Sequence, residues 1–101
     1  MSITRNPGLN IDKFGTITYY NDNENLHRED GPAIIWDNGD KEWYVNGKCH
    51  RIDGPAIIFN NNSHEWLVND IQYYSNRSYQ EAAGISDEDM AMIVLKYGNV
   101  S

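Results

Sequence analysis

The chain has 101 residues, and fifteen Asp and Glu against eight Lys and Arg leave a net charge of −7, which disfavours direct nucleic-acid binding because too few cations are available to neutralise a run of phosphates. The apolar share of 40% excludes a disordered composition, and no stretch approaches the roughly 20 apolar residues of a membrane span. The start of the chain lacks a signal-peptide type of apolar run, and a single cysteine, Cys49, allows no internal disulfide, so one domain in a reducing cytoplasm is expected.

Residues 1–14 carry no periodicity and are expected to form an N-terminal extension, loosely ordered over residues 1–12. From Gly15 the chain repeats itself. The segment from His27 through Arg28, Asp30, Gly31, Pro32 and Ala33 to Trp36 is echoed from His50 through Arg51, Asp53, Gly54, Pro55 and Ala56 to Phe59, with eight identities in ten at an offset of 23. Lys41 to Asn46 is answered by His64 to Asn69, and Gly15 to Tyr20 matches Gly39 to Tyr44 at an offset of 24. Two full repeats, 27–49 and 50–72, therefore follow half of one.

Each repeat reads as two short strands around a tight turn. The apolar run Ala33–Trp36 ends at Asp37, Asn38 and Gly39, and Asn-Gly is the preferred pair for a two-residue hairpin loop. Asn61 and Asn62 take that place in the second repeat, and Asn46 and Gly47 supply a further turn. Pro32 and Pro55, which lack an N–H, suit strand starts. A two-residue loop at Asn38 and Gly39 sets Trp36 opposite Lys41, Ile34 opposite Trp43 and Ala33 opposite Tyr44. One face then carries Ile34, Trp36, Trp43 and Val45, repeated as Ile57, Phe59, Trp66 and Val68, with Ile17 and Tyr19 ahead of them. Its large apolar side chains make it the expected core face. The opposite face carries Tyr20, Ile35, Tyr44, Ile58 and Leu67.

The tail, 73–101, changes period. Ser78 and Glu81 have the spacing of a capping box, and Gly84 is placed to end that helix. Ser86 with Asp87, Glu88 and Asp89 starts another, its carboxylates near the positive end of the helix dipole. Met90, Ile93, Val94 and Tyr97 fall at helical spacing, Ala91, Met92 and Leu95 widen the stripe, and Gly98 supplies the stop. The expected fold is α+β: repeated β-hairpins in one antiparallel meander sheet of five or six strands, over 15–72, with C-terminal helix or helices packed on the tryptophan face.

The pattern His-Arg-x-Asp-Gly-Pro-Ala, then an aromatic, an Asn-Gly turn and Glu-Trp-Tyr-x-Asn-Gly, resembles the MORN-like repeats of small phage and bacterial proteins. It covers roughly residues 15–72 and recurs in phase. The resemblance implies stacked β-hairpins and a binding or scaffold role without enzymatic activity.

Chemistry-bearing residues are sparse. His27, His50 and His64 could be read as ligands or bases, but zinc needs its ligands within about 2 Å of one point, and repeat-equivalent positions stand roughly 10 Å apart at about 5 Å per strand. Asp30 and Asp53 are expected to orient the Gly-Pro turns, with Arg28 and Arg51 pairing with carboxylates or loop carbonyls. Cys49 next to His50 is retained as a nucleophile only to be tested. No phosphate loop, nucleophile elbow or zinc pattern is present, so no metal or cofactor is expected. The aligned side chains Tyr20, Ile35, Tyr44, Ile58 and Leu67 are the candidate partner-binding surface. The expected function is non-enzymatic binding of a protein partner by a small phage-encoded accessory protein that modulates a host factor, in the host cytoplasm, with no membrane partner. The alternative is an acidic nucleic-acid mimic that inhibits a host nuclease or defence complex.

Overall fold

The computed structural model describes residues 8–101. Among the described residues nine short strands precede two helices. The strands are β1 (Leu9–Ile11), β2 (Ile17–Tyr19), β3 (Ile34–Ile35), β4 (Lys41–Glu42), β5 (Tyr44–Val45), β6 (Lys48–Cys49), β7 (Ile57–Ile58), β8 (His64–Val68) and β9 (Ile71–Tyr73). The helices are α1 (Asn76–Ala83) and α2 (Asp87–Tyr97). Seven strands form one antiparallel sheet in the order β1-β2-β3-β4-β7-β8-β9, and β5 and β6 pair separately. This is the expected α+β fold with more strands than expected. Of the expected N-terminal extension, residues 1–7 lie outside the described residues, and β1 adds an edge strand by pairing with β2.

The separate hairpin is the first repeat's copy of β8–β9. Tyr44 opposes Cys49 and Val45 opposes Lys48, and 23 residues later Leu67 opposes Gln72 and Val68 opposes Ile71. In the second repeat β8 runs unbroken past this junction. In the first, Trp43 interrupts the ladder: its N–H donates to the Ala56 carbonyl at 2.7 Å, and its carbonyl accepts from the His50 N–H at 3.0 Å. Both hairpins close on two-residue turns with left-handed backbone, Asn46-Gly47 (φ +51° and +83°) and Asn69-Asp70 (φ +51° and +70°), the geometry of a type I′ turn.

Asn38-Gly39 behaves differently. The Trp36 N–H donates to the Asp40 carbonyl and the Gly39 N–H to the Trp36 carbonyl, both at 2.9 Å. The loop is therefore three residues, with Gly39 left-handed at φ +97°, and Asn60–Asn62 repeat it with Asn62 at φ +70°. The extra residue slips the expected register by one. Ile34 opposes Glu42, and Ile35 opposes Lys41. Because side chains alternate along a strand, one slip exchanges the faces across the turn. Ile34 and Ile57 thus share a face with Glu42 and Glu65, whereas Ile35 and Ile58 share the other with Lys41 and His64.

The core lies at the C-terminal end. Trp66, 1% exposed, packs with Val68, Tyr79, Met90, Ile93 and Val100. Its ring meets Tyr79 edge-on at 5.0 Å between centroids. The expectation that the tails bury all three tryptophans is corrected: Trp43 is half-buried and Trp36 exposed, its indole Nε1 donating to Glu42 Oε2 at 2.7 Å. One pair of short helices covers one repeat, so only the second repeat's tryptophan is enclosed.

Ser75, not Ser78, caps α1, accepting from the Ser78 N–H at 3.2 Å. Ser78 sits within the first turn, and Glu81 reaches Arg77 at 3.6 Å instead of closing a capping box. Gly84 ends the helix in left-handed conformation at φ +69°. Ser86 caps α2 by accepting from the Asp89 N–H at 3.0 Å. Met90 and Ile93 face the core with Val94 and Tyr97 beside them, whereas Ala91, Met92 and Leu95 are exposed and do not widen the buried stripe. No helix among the described residues is long and apolar enough to cross a membrane.

Candidate functional site

Each His-Arg-x-Asp-Gly-Pro segment builds the same loop. Arg28 Nε donates to Asp30 Oδ1 at 3.0 Å and Nη1 to the Pro32 carbonyl at 3.2 Å. Arg51 repeats both contacts, to Asp53 Oδ1 at 2.8 Å and the Pro55 carbonyl at 3.1 Å. The guanidiniums lie over aromatic rings, Arg28 at 4.1 Å from the Tyr19 centroid and Arg51 at 3.9 Å from that of Trp43. A delocalised, planar cation suits that stacking. Glycine leaves room for the arginine inside each clasp: a Cβ on Gly31 would stand 2.9 Å from Arg28 Cζ, and one on Gly54 2.9 Å from both Arg51 Cζ and Tyr97 Cε2, so the side chains would have to shift.

The histidines are bound into the same scaffold. His27 Nδ1 accepts from the Asn46 N–H at 3.0 Å, and His50 Nδ1 accepts from the Asn69 N–H at 3.1 Å. That bond occupies the Nδ1 lone pair and fixes the tautomer with hydrogen on Nε2, which in His27 faces Glu29 Oε2 at 3.2 Å. Each imidazole thus holds the type I′ turn of its own repeat against the loop. His64 stands apart, edge-on to Trp66 and Tyr97, and burial reinforced by Arg51 holds its pKa below the ordinary value. Among the described residues no three His, Cys, Asp or Glu side chains converge as a metal site would require.

Cys49 is buried, and burial, followed by the carboxylates of Glu42, Asp70 and Glu65, pushes its thiol up to about 12. A nucleophilic cysteine needs the thiolate, which an electropositive setting supplies. This setting is acidic and apolar.

The five candidate partner-binding residues do not form one surface. Ile35 and Ile58 share a face through Lys41, which opposes both. Leu67 alternates with Trp66 along β8 and lies on the other face. Tyr44 belongs to the separate hairpin, and its hydroxyl donates to Glu42 Oε1 at 2.8 Å. Burial, then that bond to a carboxylate, raises the Tyr44 pKa well above the usual phenol range. Tyr20 forms a bridge with Leu26. All five are half-buried. The three-residue loops at Asp37–Gly39 and Asn60–Asn62 set Ile35 and Ile58 on the face opposite Leu67.

A groove of about 760 Å³ opens between the two loops. Trp43 and Val45 line it together with Ile52, which projects from the second loop. At its rim stand the side chains of Glu29, Asp30 and Asp53, which are 84%, 88% and 81% exposed. Arg28 and Arg51 are each paired with one of those aspartates, so Glu29 is the carboxylate in excess and the rim carries a slight negative surplus. Sequence reasoning missed this site. The signal was the offset itself, because Trp43 and Val45 are equivalent to Trp66 and Val68 and a single tail cannot cover both pairs.

Comparisons of the chain with protein-family models, with curated proteins and with solved structures find no match.

Proposed function

We propose that the chain is a non-enzymatic protein-binding module that holds its partner in the groove between the two His-Arg-x-Asp-Gly-Pro loops. The carrying observation is the groove's composition: a tryptophan and two aliphatic side chains, Trp43, Val45 and Ile52, framed by exposed carboxylates. Aromatic anchors surrounded by a polar rim are the usual source of interface energy. The titratable groups that could have run chemistry support the reading from the other side, since His27, His50, Arg28 and Arg51 are committed to holding loops and turns. The resemblance to MORN-like repeats agrees with a binding role, and a phage accessory protein acting on a host factor is the setting we propose for it.

The test is capture of the partner from host lysate, followed by affinity measurement with two variants. Val45→Lys places a charge on the groove floor and should weaken the complex by about thirtyfold or more, the loss of an interface anchor. Glu88→Lys with Asp89→Lys, on α2 away from the groove floor, should leave affinity within about twofold. The reverse order, with steep loss of binding as salt rises, would replace this reading with nucleic-acid mimicry.

A further inference from the structure

The groove is a second copy of a site the chain already fills. Adding 23 to Arg28, Gly31, Trp43 and Val45 yields Arg51, Gly54, Trp66 and Val68, which form the surface on which α1 and α2 pack. There the occupant is visible in detail. Tyr79 of α1 lays its ring against Trp66 at 5.0 Å and donates its hydroxyl to the carbonyls of Arg51, at 2.7 Å, and Gly54, at 3.0 Å. Tyr97 of α2 accepts from Arg51 Nη2 at 3.0 Å, and Lys96 beside it shares a surface groove with Asp53. At the first repeat the equivalent carbonyls, those of Arg28 and Gly31, accept no hydrogen bond from any of the described residues, and Trp43 and Val45 are half-buried where Trp66 and Val68 are enclosed.

We infer that the occupant of the groove is a helix from a partner protein that carries a tyrosine in the role of Tyr79, with Lys or Arg beside it. This rests on the protein-binding reading above and names the partner's chemistry. The tyrosine follows from the carbonyls of Arg28 and Gly31, which repeat the pair of acceptors that holds Tyr79 and line the groove with Trp43, whose ring also carries the Arg51 guanidinium at 3.9 Å. The basic flank follows from charge. Where the second repeat presents Ile52, the first presents Glu29, which joins Asp30 and Asp53 at the rim. A second copy of this chain fits that rim poorly, because its own α2 opens with Asp87, Glu88 and Asp89.

The experiment titrates the isotope-labelled full chain with synthetic peptides and follows the indole N–H signals of Trp43 and Trp66 by NMR. The first peptide has the sequence of residues 74–101 with Glu88→Lys and Asp89→Lys. The second adds Tyr79→Phe, and the third is the unchanged acidic sequence. The first should shift Trp43, the second should bind about tenfold more weakly for want of the hydroxyl, and the third should bind more weakly than the first by a margin that shrinks as salt rises. Val45→Lys in the protein should abolish the Trp43 shift while circular dichroism shows the fold retained. Shifts confined to Trp66, a peptide exchanging with the native tail, would overturn the inference. So would equal binding of the tyrosine and phenylalanine peptides at Trp43. That last result leaves the groove as a contact surface, whereas a captured host partner indifferent to Val45→Lys removes the binding reading itself.

Discussion

Trp66 and Trp43 occupy equivalent positions in the two repeats and differ in what covers them, so truncating each measures how much the helical tail contributes. Trp66 is 1% exposed and surrounded by Tyr79, with Tyr97 and His64 edge-on at 6.3 and 6.5 Å. Trp66→Ala should leave a cavity that the strand β8 and the α1 helix cannot close, costing roughly 3–5 kcal/mol. Total stabilities of small domains are about 5–15 kcal/mol, so the variant should be close to its unfolding midpoint at ambient temperature. Trp43 is half-buried, lies under the Arg51 guanidinium at 3.9 Å and lines the groove with it. Trp43→Ala forfeits that stacking and part of the ring's burial, about 1–2 kcal/mol. The assay is urea unfolding followed by far-ultraviolet circular dichroism, with the slope checked so that a midpoint change reports stability. Equal losses in the two variants would refute the assignment of the core to the second repeat, and with it the description of the groove as an uncovered copy.

Three further outcomes follow from single residues. Gly39→Val forces a β-branched side chain to φ +97° and should cost about 1–3 kcal/mol; urea midpoints read it, and wild-type stability would dismiss the three-residue loop. The Cys49 thiol, buried and raised to about 12, should resist thiol-specific alkylation at neutral pH until denaturant unfolds the chain; rapid labelling of the native protein would contradict its burial. His64, whose pKa burial and Arg51 lower from about 6.5, binds protons less readily in the folded than in the unfolded chain. Its contribution to stability is therefore present above pH ~6.5 and lost as pH falls through the window below it. The urea midpoint should drop between pH 7.5 and 5.5, and His64→Gln should flatten the drop; parallel pH profiles for the two proteins would mean that the burial of His64 carries no penalty.

Much of the architecture was legible from local chemistry. The repeat, the turn positions at Asn46-Gly47 and Asn61-Asn62, the second helix with its Ser86 cap and Gly98 stop, and the pairing of Arg28 and Arg51 with carboxylates and loop carbonyls depend on residues close together in the chain. Local signals failed where two solutions differ by one residue. Asn38-Gly39 satisfies a two-residue loop and equally the last two positions of a three-residue loop, and only the hydrogen bond from the Trp36 N–H to the Asp40 carbonyl separates them. That choice, repeated at Asn60–Asn62, decided which side chains share a face, and it set Ile35 and Ile58 apart from Leu67.

The amino-acid sequence by itself determined the α+β class, the 23-residue period and the turn positions, because each rests on composition, spacing or backbone preference within a few residues. Which repeat the tail covers was settled only by the tertiary structure. Trp43 and Trp66 sit in near-identical local sequence, and nothing within reach of either distinguishes them. The difference arises because α1 follows β9, the last strand of the second repeat, and the helices pack on Trp66 and Val68, so Trp66 becomes core and Trp43 lines a groove.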